Sequence, residues 1–315
     1  MKVKISEETI REIFFLIAET DEGFEVQDPQ TGAGFFIPRG GCGVLITGKG
    51  GKSGSWLMRG EQLGAALGAT VQANATIPGD LTIVVKRTPT PVIAALRGKR
   101  WVWDIVDSYP QPLSYRWTRE EAIGWVRGKI ASLRPTAIIW PTRRMREDCD
   151  TGLPGLVLPH HHRIGIERNP IRAEVRTIGY EGSPGYLGRW ERIVRQECEA
   201  RGWEFVVNPE RLADVDVVLA LRDSGGYVAR HWKSGVKLAN AHASGTPFVG
   251  QAECGYMENA SGAEYWAEDA RGLSIAFDWL KDRGGREAIS DRFVQRAYSV
   301  EQAAADLKEW LHDLG

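Results

Sequence analysis

The sequence predicts an α/β protein made of two doubly wound, Rossmann-type domains facing a central cleft. Three observations carry this expectation. From Gly43 onward, short apolar strands alternate with helices, which is the pattern of a parallel sheet. The alternation breaks once, at the polar stretch from His160 to Ala173 with Pro159 and Pro170, and then resumes. The 315 residues suit about two domains at roughly 100–200 residues each. In sheets of this kind ligands bind beyond the carboxyl ends of the strands, so functional residues are sought in those loops.

The expected boundaries are 1–40 for a helix and hairpin extension, 41–165 and 166–295 for the two Rossmann-like domains, and 296–315 for a terminal helix. In the extension, Ser6 caps a helix from Glu7 to about Glu19. Phe24–Val26 and Phe35–Ile37 flank the turn-rich Asp28-Pro29-Gln30-Thr31-Gly32 and predict a hairpin. Strands follow at Val44–Thr47, Leu81–Lys86, Trp101–Val106, Ala137–Trp140 and Leu156–Leu158. Helices lie between them at Trp56–Leu67, Pro91–Arg97 and, capped by Thr118 with Glu120 and Glu121 in its first turn, as far as Ser132. The second run has strands at Arg176–Tyr180, Phe205–Val207, Val215–Leu221 and Pro247–Gly250, with helices at Leu187–Arg201 and Val236–Ala243. Ala263–Trp266 leads into a further helix, and Val300–Leu311 is amphipathic.

Composition excludes several classes. With 43% hydrophobic and 26% charged residues the chain is an ordinary folded protein, long enough to bury a core without disulfides or metals. Forty Lys and Arg against 41 Asp and Glu leave a net charge of −1, which excludes a uniformly basic nucleic-acid coat. No apolar run approaches the ~18 residues of a membrane span, and Met1–Glu8 has no leader-like apolar core. The four cysteines, Cys42, Cys149, Cys198 and Cys254, are scattered without a CxxC pair, so a cysteine zinc site is not expected and a reduced cytoplasm is. His160-His161-His162 does not alter the expectation of no metal, because adjacent side chains on an extended segment point to opposite faces.

Two segments carry chemistry. Gly48–Ser55 lies between a strand and a helix, where backbone N–H groups can hold an anion. It is not a Walker loop, since Ile46 stands where Gly51-Lys52-Ser53 would need a glycine, and it is not a clean GxGxxG. The second segment is Lys233-Ser234-Gly235-Val236-Lys237-Leu238-Ala239-Asn240-Ala241-His242-Ala243-Ser244-Gly245-Thr246-Pro247, a small-residue helix ending at glycine before a buried strand. Glu253, Tyr256 and Glu258 follow the strand.

The pattern Lys237-Leu238, Asn240-Ala241, Gly245-Thr246-Pro247, Glu253, Tyr256, Glu258 resembles the donor half of GT-B glycosyltransferases, in a bacterial or phage-type form. Leu158–Ile164, Arg168-Asn169-Pro170 and the strand Val175–Gly182 look like the interdomain stretch of the same group, so the resemblance runs from about Leu156 to Glu258. It implies a GT-B fold, transfer of a sugar from a nucleotide sugar, most often a UDP-sugar, to a hydroxyl, and no other cofactor. One departure stands out. Many retaining members carry two glutamates eight positions apart, and here those positions are Trp232 and Asn240. The usual ribose-binding carboxylate is therefore absent, with Glu253 or Glu258 left to replace it, and retaining chemistry is not inferred.

Sugar transfer releases a diphosphate whose developing charge must meet cations or N–H groups. Lys237, Arg222 and Lys233 are the candidates, with Asn240, Glu253, Tyr256 and Glu258 as further donor-binding residues. An inverting reaction also needs a base for the acceptor hydroxyl, and Asp107, at the end of the third strand, is the candidate. Acceptor-binding residues are expected at Gly50, Gly51, Lys52, Ser53, His160, Arg143 and Arg144. Residues 97–172 hold 14 Arg and Lys against 8 Asp and Glu, with Trp101, Trp103, Tyr109, Tyr115, Trp117, Trp125 and Trp140 interleaved. Basic groups among aromatic platforms suit nucleic acid, so a hydroxymethylated base in DNA is one expected acceptor, reached by base flipping. A glycan or small metabolite is the alternative, and a non-catalytic nucleotide- or nucleic-acid-binding module is the alternative of another class.

Overall fold

The computed structural model describes residues 15–19, 23–27, 34–38, 43–107, 110, 116–223 and 226–314, the first three segments as backbone alone. Those three are strands β1 (Phe15–Glu19), β2 (Gly23–Gln27) and β3 (Gly34–Pro38), paired antiparallel in that order. The expected hairpin is present, with Phe24 opposite Ile37 and Val26 opposite Phe35. The expected helix reaching Glu19 is corrected at its end: Phe15-Leu16-Ile17-Ala18-Glu19 is a strand, which suits its aromatic and branched side chains. Ser6, the rest of that helix, the hairpin turn, Cys42, Tyr109 and Tyr115 lie outside the described residues.

The chain divides into two compact units, residues 1–105 with 133–138, and residues 106–132 with 139–315. A six-stranded sheet has the order β5-β4-β6-β7-β8-β9, from β4 (Val44–Gly48), β5 (Thr70–Val71), β6 (Leu81–Val85), β7 (Trp101–Asp104), β8 (Ala137–Trp140) and β9 (Gly155–Val157). Strands β4 to β7 pair in parallel. Between β4 and β5 runs helix α1 (54–67), whose middle, Leu57–Gln62, is a π-helical turn. Gly60 sits there because a Cβ would come within 2.7 Å of the Trp56 ring. Helices α2 (Thr90–Ala95), α3 (Arg119–Leu133) and α4 (Arg143–Cys149) follow. Thr118 and Glu121 cap α3 reciprocally, through bonds of 2.8 and 3.2 Å.

The second sheet is wholly parallel, in the order β11-β10-β12-β13-β14. Its strands are β10 (Thr177–Tyr180), β11 (Glu204–Val207), β12 (Val217–Ala220), β13 (Phe248–Gly250) and β14 (Tyr265–Trp266). Helix α5 (Arg189–Glu199) joins β10 to β11 and buries Trp190, Val194 and Cys198, spaced four apart on one face. Helices α6 (Tyr227–His231) and α7 (Val236–Ser244) lie between β12 and β13, and α8 (Cys254–Met257) follows β13. Helices α9 (Ala270–Trp279), α10 (Arg283–Arg296) and α11 (Val300–Asp313) complete the chain. Every residue of β12 is buried, in a core shared with Trp190, Phe248, Phe277 and Phe293. Such continuous apolar strands are what a sheet covered on both faces requires. Among the described residues no helix is long and apolar enough to cross a membrane.

Candidate functional site

The site is built at the carboxyl ends of β10, β12 and β13, within the second unit. Helix α7 begins there. Its first turn is pressed against α8 by two glycines: a Cβ on Gly235 would lie 2.4 Å from the Gly255 carbonyl oxygen, and one on Gly255 would lie 2.0 Å from the Lys233 carbonyl oxygen. The helix stops at Gly245, which adopts φ +67°, a left-handed conformation that favours glycine.

Three cations meet at this edge. Arg222 follows β12, and its guanidinium reaches Glu253 at 3.0 and 3.5 Å with both side chains nearly buried. Its N–H donates to Gln251 Oε1 at 2.6 Å. Lys233 Nζ lies 2.8 Å from Asp107 Oδ2, and the Ser234 N–H lies 3.4 Å from Asp107 Oδ1. Asp107 follows Val106, which is held at φ +66°. A β-branched residue in the left-handed region is strained, and such strain gathers at functional sites. The third cation, Lys237 in the first turn of α7, has no carboxylate within ion-pair distance among the described residues. Its Nζ stands 4.0 Å from the centroid of the Tyr180 ring. Burial, and then the neighbouring charge of Arg222, lowers its pKa to about 7, against the opposing pull of Glu253 and Glu181.

Asn240 is 3% exposed and belongs to a closed ring of hydrogen bonds. The Arg163 N–H donates to Asn240 Oδ1 at 3.1 Å, and Asn240 Nδ2 donates to Glu181 Oε2 at 3.3 Å. The Arg163 guanidinium closes the ring on Glu181 Oε1. Glu181 is the residue after β10, and Gly182 follows it at φ +133°, where a Cβ would come 3.4 Å from Lys237 Nζ.

The other expected donor residues are placed differently. Tyr256 is a core residue, its ring edge-on to Phe248 at 5.4 Å, and burial followed by Glu253 pushes its hydroxyl well above the usual range. Glu258 accepts the N–H groups of Arg143 and Arg144 at 2.6 and 3.0 Å, so it caps α4. Arg144 in turn lies 3.3 Å from Asp148 and 3.0 Å from the Tyr227 hydroxyl. Asp148 is buried and accepts Arg119 at 2.8 Å, the Tyr227 hydroxyl at 2.6 Å and the Trp232 indole N–H at 2.9 Å. Arg143 is exposed. His160 and His161 are buried with ring centroids 6.4 Å apart, and His161 Nδ1 lies 2.8 Å from the His162 carbonyl oxygen.

The Gly48–Ser55 loop belongs to the first unit. Gly50 and Gly51 adopt φ +71° and +90°, Ser53 caps α1 through its bond from the Trp56 N–H at 3.4 Å, and Lys52 is exposed. Of the aromatic residues expected as base platforms, Trp101, Trp103 and Trp140 are buried in the core, whereas Trp117 and Trp125 are half-buried with centroids 5.6 Å apart.

Glu181, Arg163 and Asp148 are not among the site residues expected from the sequence. Glu181 carried a usable signal, a carboxylate between a strand end and a glycine. The Asp148 cluster carried none, because Arg119, Asp148 and Tyr227 are separated by 29 and 79 residues.

Comparison with known proteins yields a fold. No family model matches the sequence, and no curated protein does. Among solved structures, the chain is similar to Anabaena Alr3699/HepE in complex with UDP and glucose, with a TM-score of 0.61 and 12% identity over 86% of this chain and 100% of that one. The chain has the GT-B fold. AviGT4, a glycosyltransferase involved in avilamycin A biosynthesis, gives a TM-score of 0.55 and 13% identity over 86% of this chain and 97% of that one. A Rickettsia africae glycosyltransferase gives 0.53 and 9%, covering 86% and 98%. Within this GT-B chain, the sheet edge that gathers Lys237, Arg222 and Lys233 is the carboxyl edge at which parallel sheets bind ligands.

Proposed function

We propose that this chain is a glycosyltransferase that moves a sugar from a nucleotide-sugar donor, a UDP-sugar, to an acceptor hydroxyl. The carrying observation is Lys237: a lysine with no carboxylate within ion-pair distance among the described residues, in the company of two ion-paired cations at the carboxyl edge of a parallel sheet. An ammonium in that position is suited to a diphosphate. The Anabaena neighbour, whose structures contain UDP with glucose and UDP-glucose, supports uridine as the donor base.

In the proposed reaction the acceptor oxygen bonds to the anomeric carbon as the bond from that carbon to the diphosphate breaks. Lys237, Lys233 and Arg222 take up the charge appearing on the leaving group. Asp107 takes the acceptor proton. Because Asp107 is paired with Lys233, an arriving diphosphate that draws Lys233 toward itself also releases the base. The acceptor is a hydroxylated base in DNA or a glycan or small metabolite. The reaction is set in the cytoplasm, in keeping with the free cysteines Cys149, Cys198 and Cys254.

The test is thermal unfolding against a panel of nucleoside diphosphates and nucleotide sugars. A ligand at 100 times its Kd adds roughly 2.7 kcal/mol to stability. UDP is expected to raise the Tm, and Lys237→Ala is expected to abolish most of the rise. A wild-type Tm that none of these nucleotides moves ends this reading.

A further inference from the structure

We infer that Arg119 and Arg144 form a second anion site, one that takes a phosphomonoester group carried by the acceptor. The assignment to the acceptor rests on the glycosyltransferase reading; the anion site stands on geometry of its own, all of it within the second unit.

Two guanidiniums share one carboxylate here. Arg119 opens α3, and Arg144 lies in the first turn of α4. Arg119 Nε and Nη2 reach Asp148 Oδ1 at 3.2 and 2.8 Å, and Arg144 Nε reaches the same oxygen at 3.3 Å. Both Nε groups also donate to the Tyr227 hydroxyl, at 3.2 and 3.0 Å. Two cations thus meet one carboxylate, and the contact is left one charge positive. The excess is felt next door. The His231 ring lies 4.3 Å from that of Tyr227, and its pKa is lowered by burial first and by Arg144 next, ahead of the opposing Asp148. Glu258 is spent on the backbone N–H groups of Arg143 and Arg144. The guanidiniums are held from within: Asp148 is 4% exposed and fixed by the Tyr227 hydroxyl and the Trp232 indole N–H. Their own side chains are 44% and 40% exposed. Among the described residues, Arg119 Nη1 and both terminal nitrogens of Arg144 donate to no acceptor. Donor forks arriving from two helices suit a tetrahedral dianion, whereas a planar carboxylate is met by a single fork. A phosphodiester backbone repeats a single charge along a strand and calls for cations in a row. Cations gathered at one point favour the monoester.

The placement ties this site to the proposed chemistry. The Trp232 indole N–H holds Asp148, and the next residue, Lys233, holds Asp107, the proposed base. Thr142, which caps α4, donates its hydroxyl to the His231 carbonyl oxygen at 3.2 Å. An acceptor anchored by its phosphate on Arg119 and Arg144 therefore has the base close by in the same short run of chain.

The experiment is arginine labelling of the full chain with phenylglyoxal, read residue by residue by mass spectrometry, so that binding at Lys237 does not enter. Methyl phosphate at about ten times its Kd is expected to slow labelling of Arg119 and Arg144 about tenfold, in proportion to the sites left open. Arg176 and Arg195, exposed arginines of other elements, are expected to react at an unchanged rate. In Arg144→Gln, protection of Arg119 is expected to need about tenfold more methyl phosphate, the loss of a charged hydrogen bond. The unchanged rates at Arg176 and Arg195 show that the variant is folded. Absence of protection in wild type, or equal protection of all four arginines, overturns the site and leaves the glycosyltransferase reading to its own test with UDP. Unchanged protection of Arg119 in Arg144→Gln overturns the pairing. Acetate that protects equally at the same ionic strength overturns the phosphoryl class, and dimethyl phosphate that protects equally overturns the monoester in favour of a nucleic-acid backbone. Protection by UDP itself assigns the site to the donor and overturns the acceptor. A Tm that UDP leaves unmoved, with methyl phosphate still protecting, overturns the assignment to an acceptor and keeps the anion site.

Discussion

In the proposed reaction Lys237 is the residue on which the chemistry turns, and its titration is open to direct measurement. Burial and Arg222 lower its pKa to about 7, with Lys233 acting in the same direction and Glu253 and Glu181 in the other. The free site therefore holds the lysine partly neutral near pH 7. A bound diphosphate favours the ammonium, so binding takes up a proton. The sign follows: affinity for UDP is fullest below pH about 7 and declines as pH rises through it. Calorimetry in two buffers of different ionisation enthalpy, at pH 7.5, is expected to show net proton uptake in wild type and less of it in Lys237→Arg, whose guanidinium stays charged. Equal uptake in both variants would assign the proton to another group. This lysine was legible in the sequence because the features that mark it are local: a glycine before the helix, small residues along it and a glycine at its end. Glu181 has only the local signal of a carboxylate between a strand end and a glycine, since its partners, Arg163 and Asn240, lie 18 and 59 residues away.

At the scale of elements, the Asp148 cluster fastens α4 to α6 and to Trp232. The carboxylate burial that would raise its pKa is outweighed by hydrogen bonds from Tyr227, Trp232 and Arg119, so the group stays ionised. Asp148→Leu is expected to cost about 2–3 kcal/mol in urea denaturation, since it leaves the Trp232 indole N–H without its acceptor, while its two arginines can still reach water. A loss below about 0.5 kcal/mol would reduce the cluster to a surface arrangement. The elements themselves were largely readable. Strands and long helices announced themselves through apolar runs and caps, as at Ala137–Trp140 and around Thr118. Two did not. Helix α10 opens with Gly284-Gly285 and has little apolar periodicity, so its burial of Ile289 and Phe293 is a tertiary fact. The α4 helix reads as a charged loop until Thr142 is seen to cap it, accepting from the Met145 N–H at 3.0 Å.

At the scale of the whole molecule, the fold class was legible and the acceptor was not. Alternating strands and helices determine a doubly wound sheet almost alone, but recognition of an acceptor depends on which charges face outward together. The net charge of −1 conceals the basic stretch 97–172, where Arg97, Lys99, Arg116, Arg127, Lys129, Arg143 and Arg146 are exposed. Should DNA be the acceptor, these residues release counterions on binding, and affinity is expected to fall at least tenfold between 50 and 200 mM salt. Filter binding of duplex and single-stranded DNA across that range measures it, and a flat response removes DNA from consideration. Among the described residues of that stretch, the burial of Trp101, Trp103 and Trp140 leaves Trp117 and Trp125 as aromatic surface on which such a complex could draw.

The junction of α7 with α8 has an evolutionary corollary. The Gly255 carbonyl fills the side-chain volume at Gly235 and the Lys233 carbonyl fills that at Gly255, so neither position can acquire a methyl group unless the backbone opposite withdraws. Substitution at one cannot be compensated by substitution at the other, since both are already at the smallest residue. Distant descendants of this chain are therefore best sought by two glycines twenty positions apart bracketing a lysine-bearing helix, a fingerprint that tolerates drift everywhere else.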